Sequence, residues 1–289
     1  MTTAGEWVEG ARPRTLGAAI APVLVGTAAG ALGREVIWWR AVAAFAVAVA
    51  LQIGVNYAND YSDGVKGTDR DRRGPMRLTA TGTAAPAAVK RAAFLSFGVA
   101  AVVGLALSLA VNPWLVLLGV AAIAAGWFYS GGSRPYGYSG WGELAVLAFF
   151  GFAACAGSAY VQAETVPAAA WWGSVVVGLP ACAVLLANNI RDIETDRATG
   201  KRTLAVRIGA ARARGLFVAC LVGAFLAVVP IGIDSPTAVL ALLAFPLALG
   251  PCRLVLQHVD PPSLVRALVG TVRLEVVLAA LLALGLALA

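Results

Sequence analysis

Two short stretches of this chain concentrate polar groups that can do chemistry. The first is Asn56-Tyr-Ala-Asn59-Asp60-Tyr-Ser-Asp63-Gly-Val-Lys66-Gly67-Thr-Asp69; the second is Asn188-Asn-Ile-Arg191-Asp192-Ile-Glu-Thr-Asp196-Arg-Ala-Thr-Gly-Lys201-Arg202-Thr203. On a helix, Asn56 and Asp60 share a face, as do Asn59 and Asp63, and Asn188, Asp192 and Asp196 lie on one line. Carboxylate and amide oxygens are hard ligands. A magnesium ion suits them, because it takes one or two carboxylates and completes its octahedron with water and substrate phosphates. Asp60, Asp63, Asp192 and Asp196 are therefore the candidate metal ligands, with Asn56 beside them. Lys66, Arg134, Arg191, Lys201 and Arg202 are close enough in sequence to grip a diphosphate. Against this stands the ordinary fate of a charge run, which is to be a solvated loop end.

The surroundings decide between these readings. The chain has 289 residues, is 60% hydrophobic and only 13% charged, with a mean hydropathy of +0.81, which is the composition of a polytopic membrane protein. Ionisable residues at the ends of membrane spans are costly to keep and mark function. The apolar runs fall near residues 16–33, 36–55, 92–111, 113–130, 141–163, 165–187, 215–233, 236–252 and 264–289, each close to the roughly 20 residues of a crossing. The last holds Arg266, Arg273 and Glu275 in its first half, so its usable apolar length is the shortest. With a cytoplasmic amino terminus, every Lys and Arg except Arg34 and Arg40 falls on the cytoplasmic side.

These elements predict an all-α fold of about nine transmembrane helices. Residues 1–289 form one membrane domain, with a first four-helix unit over 1–140, a second over 141–260, and a ninth helix over 261–289. Each unit carries its polar stretch at the cytoplasmic end of its second helix, so the two stretches face each other across a central cavity open to the cytoplasm. The connection Tyr129-Ser-Gly-Gly-Ser-Arg134-Pro-Tyr136-Gly-Tyr138-Ser-Gly-Trp-Gly142-Glu143 lies on the same side. The four cysteines are scattered singly through apolar runs and read as small buried hydrophobes; His258 reads as a solvated loop side chain. Nothing suggests nucleic acid as a partner.

A metal-bound diphosphate inside a greasy bundle suggests a prenyl diphosphate, whose head is anionic and whose tail lies in the bilayer. Ionising its allylic C–O bond requires a departing diphosphate that is stabilised and a cavity that excludes water. Tyr57, Tyr61, Tyr129, Tyr136 and Tyr138 could shield the cation.

The two aspartate motifs, with Arg12-Pro-Arg14-Thr15 before an Ala-Pro helix, resemble those of the intramembrane prenyltransferases typified by UbiA, and most closely its MenA branch. The resemblance covers essentially the whole chain. It implies magnesium-dependent transfer of a polyprenyl group from polyprenyl diphosphate to 1,4-dihydroxy-2-naphthoate, with loss of carbon dioxide, in menaquinone synthesis at the cell membrane. It also implies that Asn56, Asn59, Asp60 and Asp63 belong to one diphosphate and magnesium motif and Asn188, Arg191, Asp192 and Asp196 to the other. Lys66, Arg134 and Lys201 would contact diphosphate, Tyr136 would line the site, and Arg14 is a candidate partner for the naphthoate carboxylate. The broader superfamily pattern would place another Asp at position 67, where this chain has Gly, leaving Asp69 as the nearest carboxylate.

Two alternatives remain at this level. Another acceptor (4-hydroxybenzoate, a chlorophyll or haem precursor, phosphoribose diphosphate) would use the same diphosphate site. A transporter also uses intramembrane acids in repeated units, although it usually breaks its helices at the midplane rather than at their ends.

Overall fold

The computed structural model describes residues 2–68 and 76–289. A short lead-in helix, α1 (Ala4–Gly10), is opened by a capping box in which Thr3 and Glu6 satisfy each other's backbone N–H groups. There follow α2 (Gly17–Gly30), α3 (Trp38–Lys66), α4 (Pro86–Val111), α5 (Leu115–Phe128), α6 (Gly142–Ala163) and α7 (Ala168–Arg191). Two short helices, α8 (Ile193–Ala198) and α9 (Leu204–Ile208), precede α10 (Ala210–Asp234); a 3-10 segment, Pro236–Ala244, bends by 41° into α11 (Pro246–Gln257), and α12 (Pro261–Ala287) closes the chain.

Among the described residues, six helices are long and apolar enough to cross a membrane, or seven if the bent pair is one span. The remaining expected runs, α2 and α5, form helices of 14 residues each, about 21 Å at 1.5 Å per residue and short of the roughly 30 Å hydrocarbon core. Another difference concerns the last run. Despite its charges, α12 is a continuous helix of 27 residues, and Glu275 is only 1% exposed, with neither carboxylate oxygen hydrogen-bonded.

The spans are apolar on all sides, so packing relies on close approach rather than on a segregated apolar stripe. At Gly26, in α2, a Cβ would sit 2.1 Å from the carbonyl oxygen of Cys155 in α6. The main core joins α2, α6, α7, α10 and α12, centred on residues such as Val25, Leu186, Phe217 and Leu278. A smaller core around Tyr57, Leu78 and Phe97 joins α3 and α4. Thus α2 packs on α7 and α12 more extensively than on α3. The outer faces of α4 and α5 leave Leu95, Val102, Leu109 and Leu117 exposed, as lipid contact requires.

One end of the bundle collects Trp38, Trp39, Trp114 and Trp171, all exposed, and forms a belt suited to a membrane interface. Arg34 and Arg40 lie at this end, where Arg40 donates to the carbonyl oxygen of Val161 (2.8 Å) and pairs with Glu164 (3.3 Å). The opposite end holds the polar stretches. Replacing Gly26 by valine should separate α2 from α6 and lower the thermal midpoint of the detergent-solubilised protein by several degrees, since overpacking costs about 1–3 kcal/mol; an unchanged midpoint would show that the contact yields freely.

Candidate active site

Each polar stretch is the last turns of a span. Helix α3 runs on past its apolar run until Gly67, whose φ of 73° ends it, with the Gly67 and Thr68 N–H groups closing back onto Gly64 and Asp63 carbonyls. Position 67 is thus the left-handed cap of the helix, a conformation that glycine adopts without strain. Helix α7 ends at Arg191, and α8 carries Asp196 one turn further.

Between α3, α4 and α5 on one side and α2, α6 and α7 on the other lies a cavity of about 570 Å³. Its polar end is lined by Asn56, Asn59, Asp63, Asn188, Asp192, Asp196 and Lys201. Its remaining wall is mostly apolar, interrupted by Gln52, Ser108 and Ser158, and runs between the helices to Leu115 and Leu118, near the start of α5.

Asp63 is the meeting point. The Tyr138 hydroxyl donates to its Oδ1, while Lys201 Nζ lies 3.3 Å and Arg77 Nη2 3.8 Å from its Oδ2. Lys201 and Lys66 sit over the Tyr138 ring, 4.6 and 4.9 Å from its centroid, and the Tyr138 carbonyl accepts the Arg202 N–H at 2.9 Å. Across the cavity, Arg191 grips Asp192 with two bonds of 2.7 and 2.6 Å and donates to Asn188 Oδ1 at 2.7 Å. Thr203 donates to Asp196 at 3.4 Å. The Asn56 amide nitrogen donates to the Ala11 carbonyl at 2.8 Å, so its carbonyl oxygen is left for the cavity.

The sequence candidates divide into two groups. Asn56, Asn59, Asp63, Tyr136, Asn188, Asp192, Asp196 and Lys201 all line the cavity. Asp60, Lys66, Arg14, Arg134 and Arg191 do not. Asp60 is 1% exposed, and both its oxygens accept backbone N–H groups, from Leu78 at 2.8 Å and Thr79 at 2.9 Å. It therefore anchors the loop that carries Arg77. Lys66 donates to the Ser130 carbonyl at 2.6 Å, Arg191 acts through Asp192 and Asn188, and Arg14 and Arg134 are exposed. The Tyr136 hydroxyl donates to the Ala125 carbonyl at 2.8 Å, and burial pushes its phenol up to about 12, so it stays protonated at any ordinary assay pH. Asp69 lies outside the described residues.

Of the tyrosines expected to shield the cation, Tyr129, Tyr136 and Tyr138 line the cavity, and other lining residues were given no role from the sequence: Arg12, Gln52, Arg77, Ser130 and Asn189. Gln52 had a usable signal, being an amide inside an apolar span one turn before Asn56. For Arg77, one of many arginines in a loop, there was none.

The residues present fit a magnesium ion of the shared kind. Among the described residues, no three of His, Cys, Asp and Glu stand close enough to hold a metal on their own. Yet hard oxygens line the cavity from two helices, the arrangement that leaves coordination positions for water and phosphate.

The sequence pattern of the UbiA prenyltransferase family covers residues 19–269. The chain belongs to that family. Its similarity to UbiA proteins is spread over most of its length. A 1,4-dihydroxy-2-naphthoate octaprenyltransferase of Mycobacterium tuberculosis is 50% identical over 256 residues, spanning 88% of each chain. That of Escherichia coli is 38% identical over 284 residues, covering 92% of this chain and 90% of the other. A UbiA homolog from Archaeoglobus fulgidus, solved with GPP and Mg2+, superposes with a TM-score of 0.65 at 15% identity, covering 96% of this chain and 99% of that one.

The two buried aspartates of α3 should respond differently to the same change. Asp60→Asn loses one acceptor for two buried N–H groups and should destabilise by about 1–3 kcal/mol. Asp63→Asn takes the counter-charge from buried Lys201 and Arg77 and should destabilise by about 3–5 kcal/mol, and in addition should lower prenyl transfer by orders of magnitude at temperatures where the variant stays folded. Paired melting and turnover measurements check both; an Asp63→Asn variant that melts or turns over like the wild type would contradict them.

Proposed function

We propose that this UbiA-family chain transfers a polyprenyl group from polyprenyl diphosphate to 1,4-dihydroxy-2-naphthoate, releasing diphosphate and carbon dioxide and giving demethylmenaquinol. The observation that carries the reading is a single cavity whose apolar wall runs between the spans and whose polar end is built from both aspartate stretches. The names of the relatives at 50% and 38% identity support the acceptor, and the A. fulgidus homolog solved with GPP and Mg2+ supports the donor and the ion.

Asp63, Asp192 and Asp196 would hold magnesium, with Asn56 beside them on the cavity wall, while the Asn59 carbonyl oxygen accepts the Ser130 hydroxyl at 2.7 Å. Once bound, magnesium would offset the charge of the diphosphate as the allylic C–O bond ionises. The chain's own part is positioning. Lys201 and Arg77, which rest on Asp63, are placed to meet the outer phosphate oxygens. Arg191 keeps Asp192 in one rotamer. The apolar wall keeps water from the allylic cation, which would otherwise hydrolyse. The ring carbon bearing the carboxylate is made electron-rich by the hydroxyl groups and attacks that cation; the crowded adduct loses carbon dioxide and regains aromaticity. No protein nucleophile is required, and a carboxylate at the cavity rim that takes a ring-hydroxyl proton as the bond forms returns it to the same oxygen when carbon dioxide leaves, so the quinol forms with no net loss of a proton.

We also infer nine membrane crossings as two four-helix units, 1–140 and 141–260, plus α12, with α2 and α5 crossing by means of flanking residues and the site open to the cytoplasm. The collection of nearly all basic residues at the aspartate end supports that orientation. Cysteines introduced at Thr81 and Ala198, both exposed, should resist an impermeant thiol reagent added outside intact cells and react after permeabilisation. Reaction before permeabilisation would invert the topology.

The reaction is tested with purified protein, magnesium, a polyprenyl diphosphate and carboxyl-labelled dihydroxynaphthoate. Labelled carbon dioxide should appear in step with prenylated lipid, and a chelator should stop both. Lipid product that keeps the label, or clear preference for 4-hydroxybenzoate, would refute the assignment of the acceptor.

A further inference from the structure

Just behind the cavity wall lies a carboxyl that the mechanism above leaves unused. Glu143, in the first turn of α6, is 7% exposed. Its Oε1 accepts the side-chain amide of Asn189 at 2.9 Å, its main-chain oxygen accepts the Cys182 thiol at 3.2 Å, and its Oε2 is buried without a hydrogen-bond partner. A buried carboxyl with an unsatisfied oxygen costs stability, and a neutral residue would pack there more cheaply. Its retention calls for a reason.

Asn189 supplies one, because it lines the cavity beside Asn188, Leu185 and Ala181. A side-chain amide is nearly symmetric in shape, and its hydrogen-bond partners decide which end faces where. The carboxyl oxygen of Glu143 takes the NH2 end. With its amide nitrogen committed to Glu143, Asn189 has its carbonyl oxygen as the end left to act on the cavity that the residue lines. A diphosphate offers acceptor oxygens and negative charge, so it is the wrong ligand for this edge. A phenolic hydroxyl is the right one.

We infer that Asn189 Oδ1 receives a ring hydroxyl of the aromatic acceptor, and that Glu143 is the positioning residue that fixes the amide in that sense. This rests on the proposed transfer to a dihydroxynaphthoate and assigns part of its subsite. A hydroxyl held this way is oriented and made more electron-donating to the ring, which helps the ring carbon attack.

Steady-state kinetics of the full-length protein, varying each substrate separately, tests the inference. Glu143→Gln keeps the shape but offers an amide that can present either end, so Asn189 loses its fixed sense. The acceptor KM should rise about tenfold, with the KM for polyprenyl diphosphate nearly unchanged and the thermal midpoint equal or higher, since a buried carboxyl has been replaced by a neutral amide. Asn189→Asp sets two carboxyls against each other and should be worse. Combining it with Glu143→Gln exchanges donor and acceptor across the pair, keeps an acceptor oxygen on the cavity, and should restore most of the acceptor KM. A structural role alone would not produce that substrate-selective rescue. An independent check needs no variant: the dimethyl ether of the acceptor, lacking hydroxyl donors, should inhibit the wild-type protein about tenfold more weakly than a hydroxylated analogue. Equal changes in both KM values, a double variant no better than Asn189→Asp, or an ether that inhibits equally well would overturn the role of Asn189 while leaving the prenyl transfer intact. A wild-type protein that does not prenylate dihydroxynaphthoate at all would remove both readings together.

Discussion

A carboxylate at the end of a membrane helix must have its charge compensated, and most of what is distinctive in this protein follows from how Asp63 achieves this. Among the described residues, its partners include Arg77 from the loop after α3, Tyr138 from the connection before α6, and Lys201 from the loop after α8. Burial makes each partner necessary, since an ion in a low-dielectric setting without them would cost several kcal/mol. The cluster therefore draws three loops to one point. Tyr138 links them further, as its ring lies under both lysines and its carbonyl holds the Arg202 N–H.

The same pairing is well suited to a substrate carrying its own negative charge. Cations held on a carboxylate are already in place and already desolvated, so in the proposed reaction a diphosphate would exchange partners with them rather than order loose side chains. Arg191 and Asp192 form the matching pair on the opposite wall. In the proposed reaction the protein contributes preorganised charge at one end of the cavity and a dry apolar wall along the rest.

Asp60 illustrates how alike two neighbouring carboxylates can be in sequence and how different in space. Both Asp60 and Asp63 belong to the Asn-Asp-rich end of α3, but three residues correspond to about 300° of helix rotation. That offset turns Asp63 to the cavity and Asp60 to the backbone of Leu78 and Thr79. Asp60 thus secures the loop from which Arg77 reaches Asp63, and the two acids serve one assembly from opposite sides.

The all-helical membrane architecture was legible in the sequence because hydropathy and span length are local properties, and the two polar stretches stood out because charge is costly at that depth. Family membership was legible for the same reason: the motifs are contiguous. What the sequence could not decide was which side of each helix meets the cavity and which distant residue completes it. Arg77, Tyr138 and Glu143 are separated in sequence from the motifs, and only packing sets their distances to Asp63 and Asn189. Likewise the sequence does not show that Lys66 donates to the Ser130 carbonyl, nor that Glu275 of α12 is enclosed with neither oxygen hydrogen-bonded. Composition determined where this protein resides and which chemistry it could hold; the tertiary structure, by bringing loop ends together in a medium that leaves no charge uncompensated, decided which residues hold it.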